Sequence, residues 1–299
     1  MLGRGPNTIS YELLRNRLDD EYQSDKAHAK ATVRRKASKF QAKKIVVNHD
    51  LQDFIDQALL DWQSPQAIAG RLKAGHQPGL PYVSRDTIET YIRSVYGRRI
   101  EYQLKVLKAG QKHTRRKAGS PPRVYGDKKV YIDDRPDVIT NRERVGDLEV
   151  DFIVSGKAGT GICLTAADRR LRVGFIRKIL PVTVGNVLKA LLDIKRQFPE
   201  LKSITTDNDI LFRYYKQLES ALGVPFYFCH PYSSWEKGGV ENYNGAARKY
   251  IRKGSDISQY GDAYVAQTEA TLNGRWLAVL DYKTPTETLN EYRKFAKVS

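Results

Sequence analysis

Three carboxylates of this chain stand where acids are rarely free of a partner. Asp151 lies inside the apolar run Leu148–Val154, Asp207 closes the run Ser203-Ile204-Thr205-Thr206, and Glu241 follows the glycine-bearing loop 231–239. An acid in or beside an apolar segment is costly to bury unless something pairs with it. A divalent cation would do so. Mg²⁺ takes hard oxygen ligands, usually one or two carboxylates with water and phosphate. Two such ions, about 3.5–4 Å apart, can clamp the attacking and leaving oxygens of an in-line phosphoryl transfer. An Asp on a central strand can bridge both ions while two flanking acids hold one each. Asp151 fits the bridge, and Asp207 and Glu241 fit the flanks. The expected cofactor is therefore two Mg²⁺ ions, with Mn²⁺ as a substitute, and their charge would keep all three acids ionised.

Other acids compete for these roles. Glu149 shares a strand face with Asp151 and could be the ligand in its place. Asp209 lies two residues after Asp207, and Glu236 precedes Glu241. Asp147 and Asp168 read as turn residues. His230 reads as structural or phosphate-contacting, since two-metal chemistry needs no histidine. Trp235 either packs under its loop or stacks on a base.

The elements that must position these acids can be read from periodicity. Residues 148–154 alternate as a strand, with Glu149, Asp151 and Ile153 on one face. Strands are expected at 162–167 and 172–179, joined by a tight turn at Asp168-Arg169-Arg170. Helix 182–198, strand 203–207, helix 209–222 and strand 225–229 follow, and loop 231–239 opens helix 240–253. A three-strand meander followed by alternating helix and strand implies a mixed sheet with helices on both faces. In the last helix Asn244 and Arg248 share the face of Glu241. Lys237, Asn244, Arg248, Lys249 and Arg252 are the expected contacts to a DNA strand beside the metals.

Upstream, residues 6–18 read as one short helix with Pro6 at its first turn and Ile9, Leu13 and Leu14 as an apolar stripe. Residues 19–44 are a charged helix or linker. Residues 50–96 make a better-defined unit. Leu51, Phe54, Ile55, Ala58, Leu59 and Trp62 fall at helical spacing, Ser64-Pro65 opens a second helix, and Ser84 caps a third. In that third helix Ile88, Tyr91, Ile92 and Val95 are expected to face inward, leaving Arg85 and Arg93 outside. This is the outline of a helix-turn-helix unit whose last helix enters the major groove. Arg98, Arg99, Arg115, Arg116 and Lys117 then form a basic linker suited to a phosphate backbone.

Charge supports that division. The chain of 299 residues carries a net charge of +17. Residues 1–130 hold 26 Lys and Arg against 13 Asp and Glu, whereas the remainder holds 25 against 21. A basic front half and a near-balanced back half point to double-stranded DNA as partner. The two cysteines lack zinc-site spacing and suit a reducing compartment. No apolar stretch approaches the roughly 20 residues of a membrane span, and no GxGxxG or Walker motif calls for a nucleotide cofactor. The expected location is the cytoplasm, in association with the nucleoid.

At its acids the sequence resembles the DDE transposases of bacterial insertion sequences, specifically the IS-thirty family. The resemblance spans nearly the whole chain. It is strongest at Gly146-Asp147-Leu148-Glu149-Val150-Asp151, at Thr206-Asp207-Asn208, and at Pro231-Tyr232-Ser233-Ser234-Trp235-Glu236-Lys237-Gly238 running into Glu241-Asn242-Tyr243-Asn244-Gly245. Thirty-three residues separate Asp207 from Glu241, as in that family, and Tyr282-Lys283-Thr284-Pro285 also matches. The resemblance implies an RNase H-like fold with Asp151, Asp207 and Glu241 as the metal-binding triad. It implies cleavage and strand transfer at the terminal inverted repeats of an insertion sequence, with a water or a DNA 3′-hydroxyl as nucleophile. Joining two ends implies at least a dimer on DNA.

Two departures stand out. Asp209 replaces the glycine of the family's Asp-Asn-Gly turn. Leu2–Ser10 resembles the second half of the family's first helix-turn-helix, so an N-terminally shortened copy or a mis-assigned start is expected. The expected organisation is a partial helix-turn-helix with basic linker (1–44), a helix-turn-helix-like domain (45–98), a basic linker (99–142) and an α/β RNase H-like catalytic domain with a mixed sheet (143–299). The rival readings are a catalytically idle DNA-binding repressor and a structure-selective nuclease of the same fold.

Overall fold

The computed structural model describes residues 5–17, 21–38, 43–109, 129–231 and 233–296. Arg115, Arg116 and Lys117, and the side chain of Trp235, lie outside what is described. Helices α1 (Pro6–Asn16) and α2 (Ser24–Ser38) come first. Leu13 and Leu14 of α1 are exposed.

A helical unit follows, built from α3 (Lys43–Val46), α4 (His49–Leu60), α5 (Pro65–Lys73), α6 (Arg85–Arg93) and α7 (Arg98–Ala109). Its starts are set by side-chain caps. Asn48 accepts from the amide of Leu51, Ser64 from that of Ala67, and Ser84 from that of Thr87, each satisfying a donor the helix leaves open. Leu51, Ile55, Leu59, Ile68, Leu72, Ile88 and Tyr91 form one core. Residues 99–109 differ from the expected linker. They form α7, whose Ile100 and Leu104 pack into this core, because they recur at helical spacing on a face the unit would otherwise leave open. Two further expectations fail. α4 ends at Leu60, so Trp62 lies in a turn at φ 64° rather than on the helical stripe. α6 ends at Arg93 because Ser94 is extended, and Val95 is left exposed.

After α8 (Asp137–Thr140), the chain enters a five-stranded sheet. β1 (Asp147–Val154), β2 (Ile162–Asp168) and β3 (Gly174–Ile179) form an antiparallel meander. α9 (Val184–Gln197) crosses to β4 (Ser203–Thr206), and α10 (Tyr215–Leu222) crosses to β5 (Phe226–Phe228), both strands parallel to β1. The strand order is β3-β2-β1-β4-β5, which makes β1 central. α11 (Gly238–Ala247), α12 (Asp262–Asn273) and α13 (Pro285–Ala296) complete the chain. This mixed sheet, with its antiparallel meander, parallel crossovers and helices on both faces, is the RNase H-like fold.

Strand alternation assigns each face its cover. Leu148 and Val150 of β1 join the core under α9 and α10. Ile153 joins Cys163, Ile176, Ala247 and Ile251 under α11 and α12. The free edge at β3 is covered by side chains of α12. Asn273 accepts from the amide of Gly174 at 2.8 Å and donates to its carbonyl at 2.7 Å, while Glu269 accepts from the amide of Ile176 at 2.6 Å. Open edges otherwise invite pairing with another chain. Residues 129–136 lie along the opposite edge, where the amide of Phe228 donates to Val130 at 2.9 Å. The helical unit docks on the segment after α12. Arg71 makes a two-pronged ion pair with Glu287 at 2.7 and 3.0 Å, Phe54 stacks on Trp276 at 5.6 Å, and Gln63 exchanges hydrogen bonds with Gly274 and Trp276.

Candidate active site

The register of two parallel strands brings the aspartates together. Asp147 pairs with Ser203 and Glu149 with Thr205. Carried two residues further, past the end of β4, the same register sets Asp207 opposite Asp151, on the sheet face shared with Glu149. α11 crosses this face. Its start is fixed by Glu149, whose Oε2 accepts the Val240 amide at 2.9 Å. A carboxylate at a helix N-terminus satisfies an open donor and opposes the helix dipole. Gly239 is required beside it, because a Cβ there would lie 2.7 Å from Glu149 Oε2.

Two side chains of the α11 segment close on Asp151. Lys237 Nζ lies 3.2 Å from Asp151 Oδ1 and 2.9 Å from Asp207 Oδ2, so one ammonium is shared by both acids. Its side chain is only 4% exposed. Burial opposes the charge on Lys237, but Asp207 and Asp151 outweigh it and raise its pKa above the ordinary value. Asn244 Nδ2 donates to the other oxygen, Asp151 Oδ2, at 2.9 Å. Lys237 and Asn244 are seven residues apart, two helical turns, and Glu241 stands between them on the same helix face. Glu241 is half-buried there. Lys237 and Asn244, expected to face DNA, are thus occupied with Asp151, because the helix start is tied to β1.

The competing acids have other occupations. Glu149 is 1% exposed and pairs with Arg169, which also donates to the carbonyls of Ile139 and Thr140. Asp209 caps the short turn 210–212 by accepting from Leu211 at 2.8 Å. Burial raises its pKa, and the nearby Asp207 and Asp151 raise it further. Glu236 accepts from the amide and ring of His230 at 2.8 and 3.0 Å. His230 also meets Asp133 at 2.9 Å and stacks on Tyr131 at 5.2 Å, a structural setting. Asp168 is a turn residue, accepting the amides of Gly146, Arg170 and Leu171. Asp147 is not: it is buried in the strand and held by Arg144 and Ser203.

Sequence reasoning missed Arg169 and Lys129. Lys129 donates to Asn208 Oδ1 at 2.8 Å, and Asn208 donates to the Cys229 carbonyl at 2.9 Å, which ties the residue after Asp207 to β5. Nothing local marks either cation, since both act across long sequence separations.

No protein-family model matches the chain. Over 293 residues it is 32% identical to the transposase for insertion sequence element IS4351 of Bacteroides fragilis, covering 97% of this chain and 88% of that protein. It is 31% identical to the transposase InsI for insertion sequence element IS30A of Escherichia coli K12, covering 96% and 76%. The chain belongs to the IS30 family of insertion-sequence transposases. As a transposase it is a polynucleotidyl transferase that cuts and joins DNA. Among solved structures, the BIV integrase catalytic core is similar at TM-score 0.40 and 17% identity, covering 50% of this chain and 98% of that one. A simian T-cell lymphotropic virus intasome bound to a PP2A regulatory subunit is similar at 0.42 and 14%, covering 73% of each.

The remaining cations of the transposase fall in two places. Arg85 and Arg93 lie on the exposed face of α6, both paired with Glu89, and Arg98 and Arg99 are exposed at the start of α7. The helix expected over 240–253 is shorter, ending at Ala247, so Lys249 and Arg252 lie beyond it. Lys249 sits over the Trp62 ring at 5.3 Å, a contact between the helical unit and the segment after α11. Arg248 is partly buried, which lowers its pKa, and its Nη1 is buried with no hydrogen-bond partner. Arg252 is exposed.

Proposed function

We propose that this transposase cleaves and joins DNA at the terminal inverted repeats of its insertion sequence, using two Mg²⁺ ions held by Asp151, Asp207 and Glu241. The observation that carries the reading is the shared Lys237 ammonium between Asp151 and Asp207. Two carboxylates that already share one cation, one inside β1 and one just past the end of the adjacent β4, offer the hard oxygen donors a divalent ion takes. Among the described residues no three His, Cys, Asp or Glu side chains gather about one point. A two-ion site does not need them to, because each ion takes two of the acids. Asp151 and Asp207 would hold one ion where Lys237 now stands. Glu241, on the face of α11 that carries Asn244, would supply the further carboxylate. Mn²⁺ meets the same donors.

When bound, the ions supply positive charge to the attacking and leaving oxygens of phosphoryl transfer. The chain supplies position. β1 and β4 fix the two aspartates, Glu149 fixes the start of α11, and Asn244 orients the Asp151 carboxylate. Arg85 and Arg93 on α6, with Arg98 and Arg99, are placed to read and grip the repeat as a helix-turn-helix does. Target DNA and the two ends call for at least a dimer on DNA. No helix among the described residues is long and apolar enough to cross a membrane, and a nucleoid-associated cytoplasmic enzyme fits the substrate.

The test is cleavage and joining of DNA carrying the element's terminal repeats, with Mg²⁺ and with EDTA, beside Asp151→Asn. Products that need metal and vanish in the variant are expected. Tight repeat binding without products would instead favour a repressor, and products without sequence preference a general nuclease.

A further inference from the structure

A second cationic site lies on the other flank of α11. A cavity of about 540 Å³ is lined by Arg142, Arg172 and Arg275, by the first turn of α11 at Gly238 and Gly239, and by an apolar wall that includes Leu272 and Val279. None of these three arginine side chains makes a hydrogen bond or ion pair among the described residues, and the Arg172 Nε is buried with no partner. Burial lowers the pKa of Arg172, and the neighbouring Arg142 lowers it further. The acids that act on Arg172 are already taken, Glu149 by Arg169 and the Val240 amide and Asp168 by the amides of Gly146, Arg170 and Leu171. Arg142 and Arg172 both hold left-handed backbone, at φ 60°, a conformation that costs energy in a non-glycine residue and clusters at functional sites.

Three guanidinium groups without counter-ions around one cavity form an electrostatic deficit that an anion would fill. The guanidinium fork matches phosphate geometry. The apolar wall suits a deoxyribose rather than a bare ion. Lys237, next to Gly238 in the chain, faces the two aspartates, so the cavity and the acids occupy opposite flanks of one helical turn.

We propose that Arg142, Arg172 and Arg275 form a binding site for a backbone phosphate of DNA passing beside the acids. The proposal rests on the reading of the acid site as one that works on DNA. It adds a contact outside the helix-turn-helix unit that steadies the strand near the point of cleavage.

The test uses the full chain and labelled duplex carrying the terminal repeat, with binding measured by anisotropy across a KCl series. Arg172→Gln, Arg275→Gln and the double variant are compared with Arg172→Lys and Asp151→Asn. Each lost phosphate contact should reduce the slope of log affinity against log salt by about 0.9. The double variant, which removes the site for that one phosphate, should therefore lose about 0.9 from the slope, Arg172→Lys should lose little because the charge remains, and Asp151→Asn should keep the wild-type slope. A double variant with wild-type melting temperature and wild-type slope would overturn the proposal. So would inorganic phosphate that raises the melting temperature of wild type but not of the double variant while the DNA slope stays unchanged, since that marks a site for a free anion. Failure of the underlying reading shows differently, as wild type that binds the repeat duplex but yields no metal-dependent cleavage products from it.

Discussion

Glu149 Oε2 accepts the Val240 amide at 2.9 Å, so the central strand holds the first turn of the helix that carries Glu241. Glu149 and Asp151 share a strand face but have opposite surroundings. Glu149 is sealed against Arg169, while Asp151 is 24% exposed at the side chain. Removing one partner of a buried ion pair costs about 3–5 kcal/mol. Glu149→Ala is therefore expected to lower the melting temperature markedly and to lose cleavage only as a consequence. Asp151→Asn should melt as wild type and lose cleavage entirely. Calorimetry beside a repeat-cleavage assay separates the two. A stable but inactive Glu149→Gln together with an active Asp151→Asn would exchange their roles.

Lys237 supplies the second prediction. An ion held by Asp151 and Asp207 would compete with its ammonium for the same two carboxylates. Lys237→Met removes that competitor and leaves two facing carboxylates unshielded. The variant should be less stable than wild type without metal. It should gain more melting temperature from a given Mg²⁺ concentration, because binding to the folded state stabilises in proportion to affinity. An Mg²⁺-induced shift equal to that of wild type would show that the lysine does not occupy the ion's place.

Asp151 and Asp207 draw attention in the sequence because each sits against an apolar run, and Glu241 because it follows a glycine-bearing loop; the resemblance draws on the same residues. The strands and the first crossover helix were legible from period, whereas the helix expected over 209–222 begins only at Tyr215, after the short turn 210–212 that Asp209 caps. What could not be read was occupancy. Glu149 and Asp151 look equivalent by alternation, and only Arg169, twenty residues away in sequence and across the sheet, separates them. Lys237 and Asn244 have the composition of DNA contacts, yet the cap at Val240 turns them onto Asp151. The true end of α11 and the helical state of 98–109 depend on tertiary packing that local propensity does not encode.

The docking of the helical unit is sensitive to acid. The Glu287 carboxyl is held down to about 2, chiefly by the Arg71 hydrogen bond and despite partial burial. A depressed carboxylate contributes stability that is full above its ordinary pKa of 4.5 and lost as pH falls towards 2. The emission of Trp276, which lies under Arg71 and against Phe54, should change over that window in wild type. The change should shrink in Glu287→Gln. Gly70→Ala should loosen the same junction at neutral pH, since a Cβ there would lie 2.1 Å from the Tyr282 ring. Identical acid profiles for wild type and Glu287→Gln would remove this pair from the junction.

The last prediction concerns α6. Ser84 caps the helix and Ile88 and Tyr91 anchor its inner face, while Arg85, Glu89 and Arg93 form an exposed ladder at four-residue spacing. Exposed ion pairs of this kind stabilise little, so both arginines can leave Glu89 for DNA at small cost. A side chain that reads a base in the major groove discriminates by about 1–3 kcal/mol, whereas one that grips phosphate weakens all sequences alike. If α6 is the recognition helix, Arg93→Gln should narrow the affinity gap between terminal-repeat and scrambled duplex. Arg98→Gln and Arg99→Gln, at the start of α7, should lower both affinities together and flatten the salt dependence. Parallel anisotropy titrations on the two duplexes distinguish these patterns. An unchanged gap in Arg93→Gln, with the fold intact, would move sequence reading away from that position of α6.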